Sequence, residues 1–443
     1  MNKTIMWISW LVLTLAIAGF FVNKIWGSGD PETLLIGEST YGHYQIELAC
    51  QTCHTDAFGG TEVLQNACTQ CHAEELELAL DAHPKSKFTD PRNADRIETL
   101  DARYCITCHV EHQREYTHNM GVTLPTDYCY HCHQEVLEER ESHKDLAFES
   151  CATAGCHNYH DNKALYESFL VDNAHQHWLE GFNKAIDTER IRAVSTLERK
   201  TAVTEVTSDY IQKISAHPSI AESHLASSHA KAGVDCGGCH VDQQKNWIEK
   251  PNEQQCQSCH TFESQTFLQG KHGMRLSGDL SAALEPISPH ESDLAFKAEA
   301  EHLKHGCNSC HGAHTFDPLP AATEACLNCH NDQHSLSFID SKHAQLTSPK
   351  SGEPLVSCAS CHMPRELHKE GQLEVWAVNH NQNANLRPNE KMIRSVCMNC
   401  HGLGFAINAL ADPVLIKNNF QGQPKNRIPS IDWAVKRAAK QSN

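Results

Sequence analysis

The sequence predicts a mostly α protein, built of short helices and loops, with an N-terminal transmembrane helix. Three observations support this. Cysteines recur in closely spaced pairs that are each followed by histidine, few segments alternate apolar and polar residues as strands do, and a long uncharged apolar run lies near the N-terminus.

The apolar run extends from Ile5 to Val22 between Lys3 and Lys24. As a helix, its eighteen residues would span about 27 Å, close to the thickness of a bilayer core. A cleaved signal peptide is the alternative, because Ala16-Ile17-Ala18 has the small-x-small form of a cleavage site. The apolar residues that continue past it favour an uncleaved anchor over residues 1–27, and either interpretation exports the rest of the chain.

All twenty-two cysteines belong to eleven units, ten of the form CxxCH and one of the form CxxxxCH. The units are Cys50-Cys53-His54, Cys68-Cys71-His72, Cys105-Cys108-His109, Cys129-Cys132-His133, Cys151-Cys156-His157, Cys236-Cys239-His240, Cys256-Cys259-His260, Cys307-Cys310-His311, Cys326-Cys329-His330, Cys358-Cys361-His362 and Cys397-Cys400-His401. Two thiols at this spacing reach the two vinyl groups of one porphyrin, and the adjacent histidine then reaches the iron. The motifs therefore predict eleven covalently bound haem c groups.

Zinc is the main alternative, since paired cysteines also make four-thiolate zinc sites. Zinc does not require a histidine after every second cysteine, and a disulfide framework would not explain the histidines either. With about forty residues per haem, the porphyrins must themselves form much of the core, so we expect short helices and loops wrapped around stacked haems.

Charge limits the choice of partners. The formal net charge of −18 makes nucleic acid an improbable partner and suits either solubility or the steering of basic redox proteins. The segment after His401 is locally basic, and a solvated helix over residues 430–441 or docking to an acidic surface would explain it.

The motif spacing predicts the organisation of the chain. Five motifs fall in a pentahaem domain, 40–162, and six in a hexahaem domain, 228–402, followed by a basic tail, 403–443. A helical connector, 163–227, separates them and should break near Pro218. Three motif pairs also repeat at similar spacing, beginning at Cys50, Cys236 and Cys307, which suggests a repeated two-haem unit.

Twenty-one histidines lie outside the motifs, enough for a second axial histidine on every iron. Candidates follow motifs directly or stand in polar segments between them. The eleven predicted ligands are His43, His83, His112, His143, His160, His229, His272, His305, His314, His343 and His380, with His118, His334 and His368 as further candidates. Spare pairs such as His302 with His305 could carry protons if an iron were open.

From about Ser228 to Gly402 the chain resembles the octahaem hydroxylamine oxidoreductase superfamily, in the segments CNSCHGAHTF, CLNCHNDQHSLSFIDSKH and CASCHMPRELH. The resemblance implies a mostly helical fold with stacked haem pairs and implies His272, His314, His343 and His380 as distal ligands. The first five motifs resemble those of small membrane-attached multihaem cytochromes c.

Two departures separate the chain from the catalytic members. It has no tyrosine after Tyr210 for a crosslink to a catalytic haem, and it has no CxxCK motif of the kind used by ammonia-forming nitrite reductases. We therefore expect a periplasmic, membrane-anchored electron carrier acting between the quinol pool and redox partner proteins. A reductase of small nitrogen or sulfur oxyanions, with Arg365 near an open iron, and a haem-stacking filament protomer or other oligomer are the alternatives.

Overall fold

The structure is a computed structural model. It describes residues 3–26, 31–56, 59–118, 121–140, 143–144, 159–161, 171, 201–206, 208–215, 217–281, 284–285, 292, 294–370, 373–386, 391–425, 427–428 and 430–441. The fifth motif, Cys151-Cys156-His157, lies outside these residues, as does most of the predicted connector.

The fold is mostly helical, as predicted, and most helices are short. The α-helices are Lys3–Trp26, Cys50–Cys53, Thr61–Ala79, Lys85–Phe88, Ala94–Thr99, Cys105–Cys108, Val136–Glu139, Ser208–Ile214, Pro218–Ala226, Ser228–Lys231, Gly237–His240, Glu253–Gln257, Thr261–Gln269, Cys307–Cys310, Pro318–Cys329, Gln333–Ser337, Lys342–Gln345, Cys358–His362, Gln382–Leu386, Met392–Ser395, Leu403–Leu410, Pro413–Lys417 and Ser430–Gln441. Several single-turn helices coincide with a motif, so that the two cysteines and the histidine leave one helical turn together.

The described strands are β1 (Arg365–Glu370) and β2 (Leu373–Val378), which pair antiparallel from Arg365 opposite Val378 to Glu370 opposite Leu373. The hairpin immediately precedes His380, and the His380 amide donates a hydrogen bond to the Thr266 hydroxyl at 3.0 Å. The hairpin thus delivers this histidine next to helix Thr261–Gln269.

The chain divides into two compact units. One comprises residues 1–73 and 85–125, and the other comprises residues 74–84 and 126–443. The predicted bounds of the pentahaem and hexahaem domains remain a prediction. Within the described part of the predicted connector, helix Ser208–Ile214 ends before Pro218, which takes the first position of helix Pro218–Ala226 because that position needs no backbone donor.

The N-terminal helix is long, apolar and unburied. Residues 3–24 form a helix long and apolar enough to cross a membrane, and none of them is buried. A helix that is apolar on all sides requires an apolar surrounding. It could serve as a membrane anchor or as a signal sequence.

The second unit contains an apolar cluster near its C-terminus. Ile393, Leu403, Ala406, Ile407 and Ala434 are buried together there. Helix Ser430–Gln441 has the predicted bounds, but it is not simply solvated, because Ala434 and Ala438 are each only 1% exposed. Elsewhere the described buried side chains are mainly small, which fits a fold whose interior is completed by porphyrins.

Candidate functional site: paired histidines at the motifs

The main feature of the site is a second histidine opposite a motif histidine. Two imidazoles bound to one iron place their ring centres roughly 6 Å apart, because each iron–nitrogen bond is about 2 Å and the half-width of a ring adds about 1 Å on each side. Nine pairs have ring centres 5.9–6.5 Å apart: His54 with His112, His72 with His43, His133 with His83, His240 with His314, His260 with His229, His311 with His380, His330 with His272, His362 with His334, and His401 with His343. Each pair therefore has room for one haem iron.

Hydrogen bonds orient many of these rings. Nδ1–H donates to a backbone carbonyl from His112 (Gly37, 3.0 Å), His240 (Ile248, 2.7 Å) and His380 (Val378, 2.9 Å), and likewise from His83 and His334. A histidine that ligates a metal through one ring nitrogen typically donates its other N–H in this way. In His83, His112, His240 and His380 the bond leaves Nε2 for the iron, so these residues fit haem.

Burial favours the neutral form that binds metal. Burial lowers the pKa of His272 to about 3 and that of His362 to about 4, with smaller contributions from nearby histidines. The pKa values of His311, His343 and His401 are lowered mainly by burial as well. These imidazoles are neutral at physiological pH, and a neutral ring nitrogen carries the lone pair that ligation needs.

The pairs follow a plan that occurs twice along the chain. His43 stands seven residues before the first motif and faces His72 of the second motif. His229 stands seven residues before the sixth motif and faces His260 of the seventh motif. In the same way, His112 and His314 each stand three residues after a motif histidine, and both face the histidine of the motif two units earlier.

The equivalent pairs also share conformational details. The backbones of His112 and His314 are both left-handed, with φ of 61° and 70°, and their rings lie nearly parallel to those opposite, at 19° and 7°. A positive φ is costly for a residue with a side chain, so its recurrence at equivalent positions indicates one repeated backbone design. His83 follows the second motif and faces the fourth, and His272 follows the seventh motif and faces the ninth. The repeated unit is therefore a set of four motifs, larger than the predicted two-haem unit.

Cysteines of successive motifs lie side by side. In the first unit, the Cys68 thiol lies next to that of Cys105, and Cys53 lies near Cys71. In the second unit, the thiol of Cys256 lies next to that of Cys307, and the thiol of Cys326 lies next to that of Cys358. Three further pairs are close enough to interact electrostatically: Cys239 with Cys256, Cys329 with Cys310, and Cys361 with Cys400. Because the cysteine sulfurs anchor the porphyrin edges, neighbouring sulfurs bring neighbouring porphyrins together.

Within the described residues, eight of the eleven predicted distal histidines face a motif histidine, and the contacts given for the other three are with other groups. His305 packs against His272 with ring centres 5.1 Å apart, His160 contacts Asp81 through Nδ1 at 3.0 Å, and the His143 amide donates to the Arg140 carbonyl. His362 faces His334, a further candidate from its CHNDQH context that is not among the eleven predicted ligands. His368 stacks on Phe262, with ring centres 4.4 Å apart.

The motif histidines outside the nine pairs are His109 and His157. His109 contacts the Gly121 carbonyl through Nδ1 at 2.9 Å, and His157 lies outside the described residues. Arg365 begins β1 and is half-buried, and burial lowers the pKa of its guanidinium. Among the described residues, no group of three or more His, Cys, Asp or Glu side chains forms a site for a bare metal ion.

The chain matches the model of one family, cytochrome c3, over residues 42–134 and 228–295. The first match runs from the residue before His43 to the residue after His133 and so encloses the first four-motif set; the second match begins one residue before His229. No curated protein matches the chain. Over these two segments the chain is similar to the multihaem cytochromes c, which bind haem c covalently and transfer electrons.

Proposed function

We propose that this protein is a membrane-anchored periplasmic cytochrome with eleven haem c groups, which conducts electrons along a chain of mostly bis-histidine haems. The observation that carries the proposal is the set of nine histidine pairs 5.9–6.5 Å apart. The cysteines of each motif would hold a porphyrin, and the motif histidine would be the proximal ligand.

The paired histidines favour conduction over catalysis. An iron with two protein ligands is six-coordinate and low-spin, and it offers no position to a substrate. A reductase of small oxyanions needs an open iron, and neither His305 nor Arg365 has a described contact that places it at one.

The cysteine contacts support a path in chain order. From the sixth motif to the eleventh, each motif lies next to the following one through a pair of cysteines, and the first three motifs are linked in the same way. An electron entering any haem of the series would therefore have a neighbouring haem to move to.

The N-terminal helix suggests the donor. A membrane quinol that is oxidised to quinone releases two protons and two electrons, and each electron would reduce one ferric haem. The acidic chain would favour periplasmic acceptor proteins with a basic surface.

Low-temperature EPR of the oxidised full-length protein in detergent tests the proposal. We expect low-spin ferric signals from the nine haems with paired histidines, and no change in the spectrum on adding nitrite, hydroxylamine or sulfite. One equivalent of high-spin haem that responds to these molecules would overturn the conduit and support the reductase. Failure of a short-chain quinol to reduce the protein would remove the quinol pool as donor while leaving the conduit in place.

A further inference from the structure

Glu111 is a half-buried carboxylate that follows the third haem motif in sequence, between His109 and His112. One of its oxygens contacts His43 Nδ1 at 2.6 Å, and His43 faces His72 of the second haem motif. The Thr40 hydroxyl donates to the same oxygen at 2.8 Å, and the Thr40 amide donates to the other at 2.9 Å. The carboxylate is therefore fixed in place.

Three hydrogen bonds converge on the Glu111 carboxylate, one from His43 and two from the hydroxyl and amide of Thr40. The carboxylate also lies near Cys53 and Cys68, which belong to the first and second motifs. An anion thus lies among three haem-attachment motifs.

The repeated four-motif plan supplies an internal comparison. His229 occupies the position of His43 in the second set, and Ala313 occupies the position of Glu111, between His311 and His314. His229 Nδ1 is buried, and no donor or acceptor among the described residues reaches it. The two equivalent histidines therefore differ in their hydrogen bonding, because the second set has alanine in place of the glutamate that contacts His43.

The hydrogen-bond partner of a ligating histidine tunes the metal. A carboxylate acceptor increases the electron donation of the imidazole more than a carbonyl does, and a nearby negative charge opposes the gain of an electron. Both effects stabilise ferric over ferrous iron.

We propose that Glu111 is a positioning residue that holds His43 as the distal ligand of the second haem and sets the reduction potential of that haem below that of its repeat counterpart, the seventh. The inference rests on the proposed function, because it assumes bis-histidine haems at both motifs. A low-potential haem early in the series would retain an electron least well, and it would send the electron onward to its neighbours.

The test is a mediated redox titration of the intact holoprotein, followed by optical spectra and by EPR of samples poised at successive potentials. Glu111→Gln keeps the shape of the side chain and removes its charge, so one haem equivalent should move to a more positive potential and its low-spin EPR signal should shift. Glu115→Gln, the same change at an exposed position four residues away, should leave the titration unchanged.

A second variant tests the opposite direction. Thr40→Val removes the hydroxyl that donates a hydrogen bond to the Glu111 carboxylate and partly offsets its negative charge. One haem equivalent should therefore move to a more negative potential.

If Glu111→Gln matures with all its haem, remains low-spin and titrates like the wild type, the inference is overturned while the electron conduit stands. If Glu111→Gln does not mature, an unchanged titration of Thr40→Val overturns it. High-spin, substrate-responsive iron in the wild type would instead overturn the proposed function.

Discussion

At the residue scale, the geometry of single histidines determines the properties of single haems. His380 follows β2, donates from Nδ1 to the Val378 carbonyl, and lies opposite His311. The hydrogen bond and the hairpin hold the ring in this orientation. As a distal ligand, His380 would contribute to one haem and leave the others unaffected.

His380→Ala is therefore expected to convert one haem to the high-spin form, because the iron at the eighth motif loses its sixth ligand. The other haems should remain low-spin. EPR together with the optical spectrum of the oxidised protein would count the high-spin equivalents. His302→Ala, which removes an exposed histidine, should give no high-spin haem, and a fully low-spin His380→Ala protein would contradict the assignment.

A second residue-scale prediction concerns Asp412, which caps helix Pro413–Lys417. Its carboxylate accepts hydrogen bonds from the amides of Lys425, Val414 and Leu415, and these bonds lower its pKa. Because the folded pKa is the lower one, the stabilisation is complete above the unfolded value of about 4 and is lost as the pH falls through the folded value. Asp412→Asn should lower Tm near neutral pH, and the difference from wild type should narrow below about pH 4.

Thermal melts at a series of pH values would measure this difference. Asp340→Asn, an exposed position, is the matched control and should follow the wild type at every pH. A Tm difference for Asp412→Asn that stays constant into acid would show that its charge is not the stabilising feature.

At the scale of an element, the C-terminal helix shows how a charged segment can also be structural. Lys436, Arg437 and Lys440 are exposed, whereas Ala434 and Ala438 are buried, and Ala434 belongs to the apolar cluster that Ile393 and Leu403 form. The four-residue spacing of the two alanines places them on one face of the helix. The helix therefore belongs to the fold of the second unit.

Ala434→Asp should weaken the docking of this helix, because it buries a carboxyl group without a partner at a cost of about 3 kcal/mol or more. Hydrogen exchange of the amides in helix Leu403–Leu410 would report the change, and their protection should fall by about a hundredfold. Val435→Asp, the same substitution at the neighbouring exposed position, should have little effect. Equal losses in the two variants would contradict the packing.

At the scale of the whole molecule, the scarcity of large buried side chains makes haem a part of the fold. Among the described residues, the largest fully buried side chains are Ile393, Leu403 and Ser341. Such an interior buries too little apolar surface to offset the conformational entropy of so long a chain. Folding and haem attachment should therefore be coupled.

Chain produced without haem attachment is expected to lack cooperative unfolding and to be degraded rapidly by protease, whereas the matured protein should resist. Intact mass spectrometry of the matured protein should show an increment of eleven haems. A smaller increment would reduce the number of conducting sites, and a cooperative thermal transition in the haem-free chain would contradict the coupling.

The sequence by itself determined the chemistry of this protein. Cysteine spacing and the adjacent histidine predict covalent haem, because thioether bonds form within one helical turn, and the apolar run predicts the N-terminal helix from its length alone. The sequence also restricted the distal ligands to a short list, since few other side chains ligate haem iron. The likeness to the octahaem superfamily, the domain bounds and the partners remain predictions.

Only the tertiary structure decided which histidine faces which motif. His112 follows the third motif yet lies opposite the first, and His334 follows the ninth yet lies opposite the tenth. Such pairs join residues far apart in the chain, and no local pattern encodes them. The same holds for the contact of Glu111 with His43, which depends on the backbone path that brings residue 40 beside residue 111.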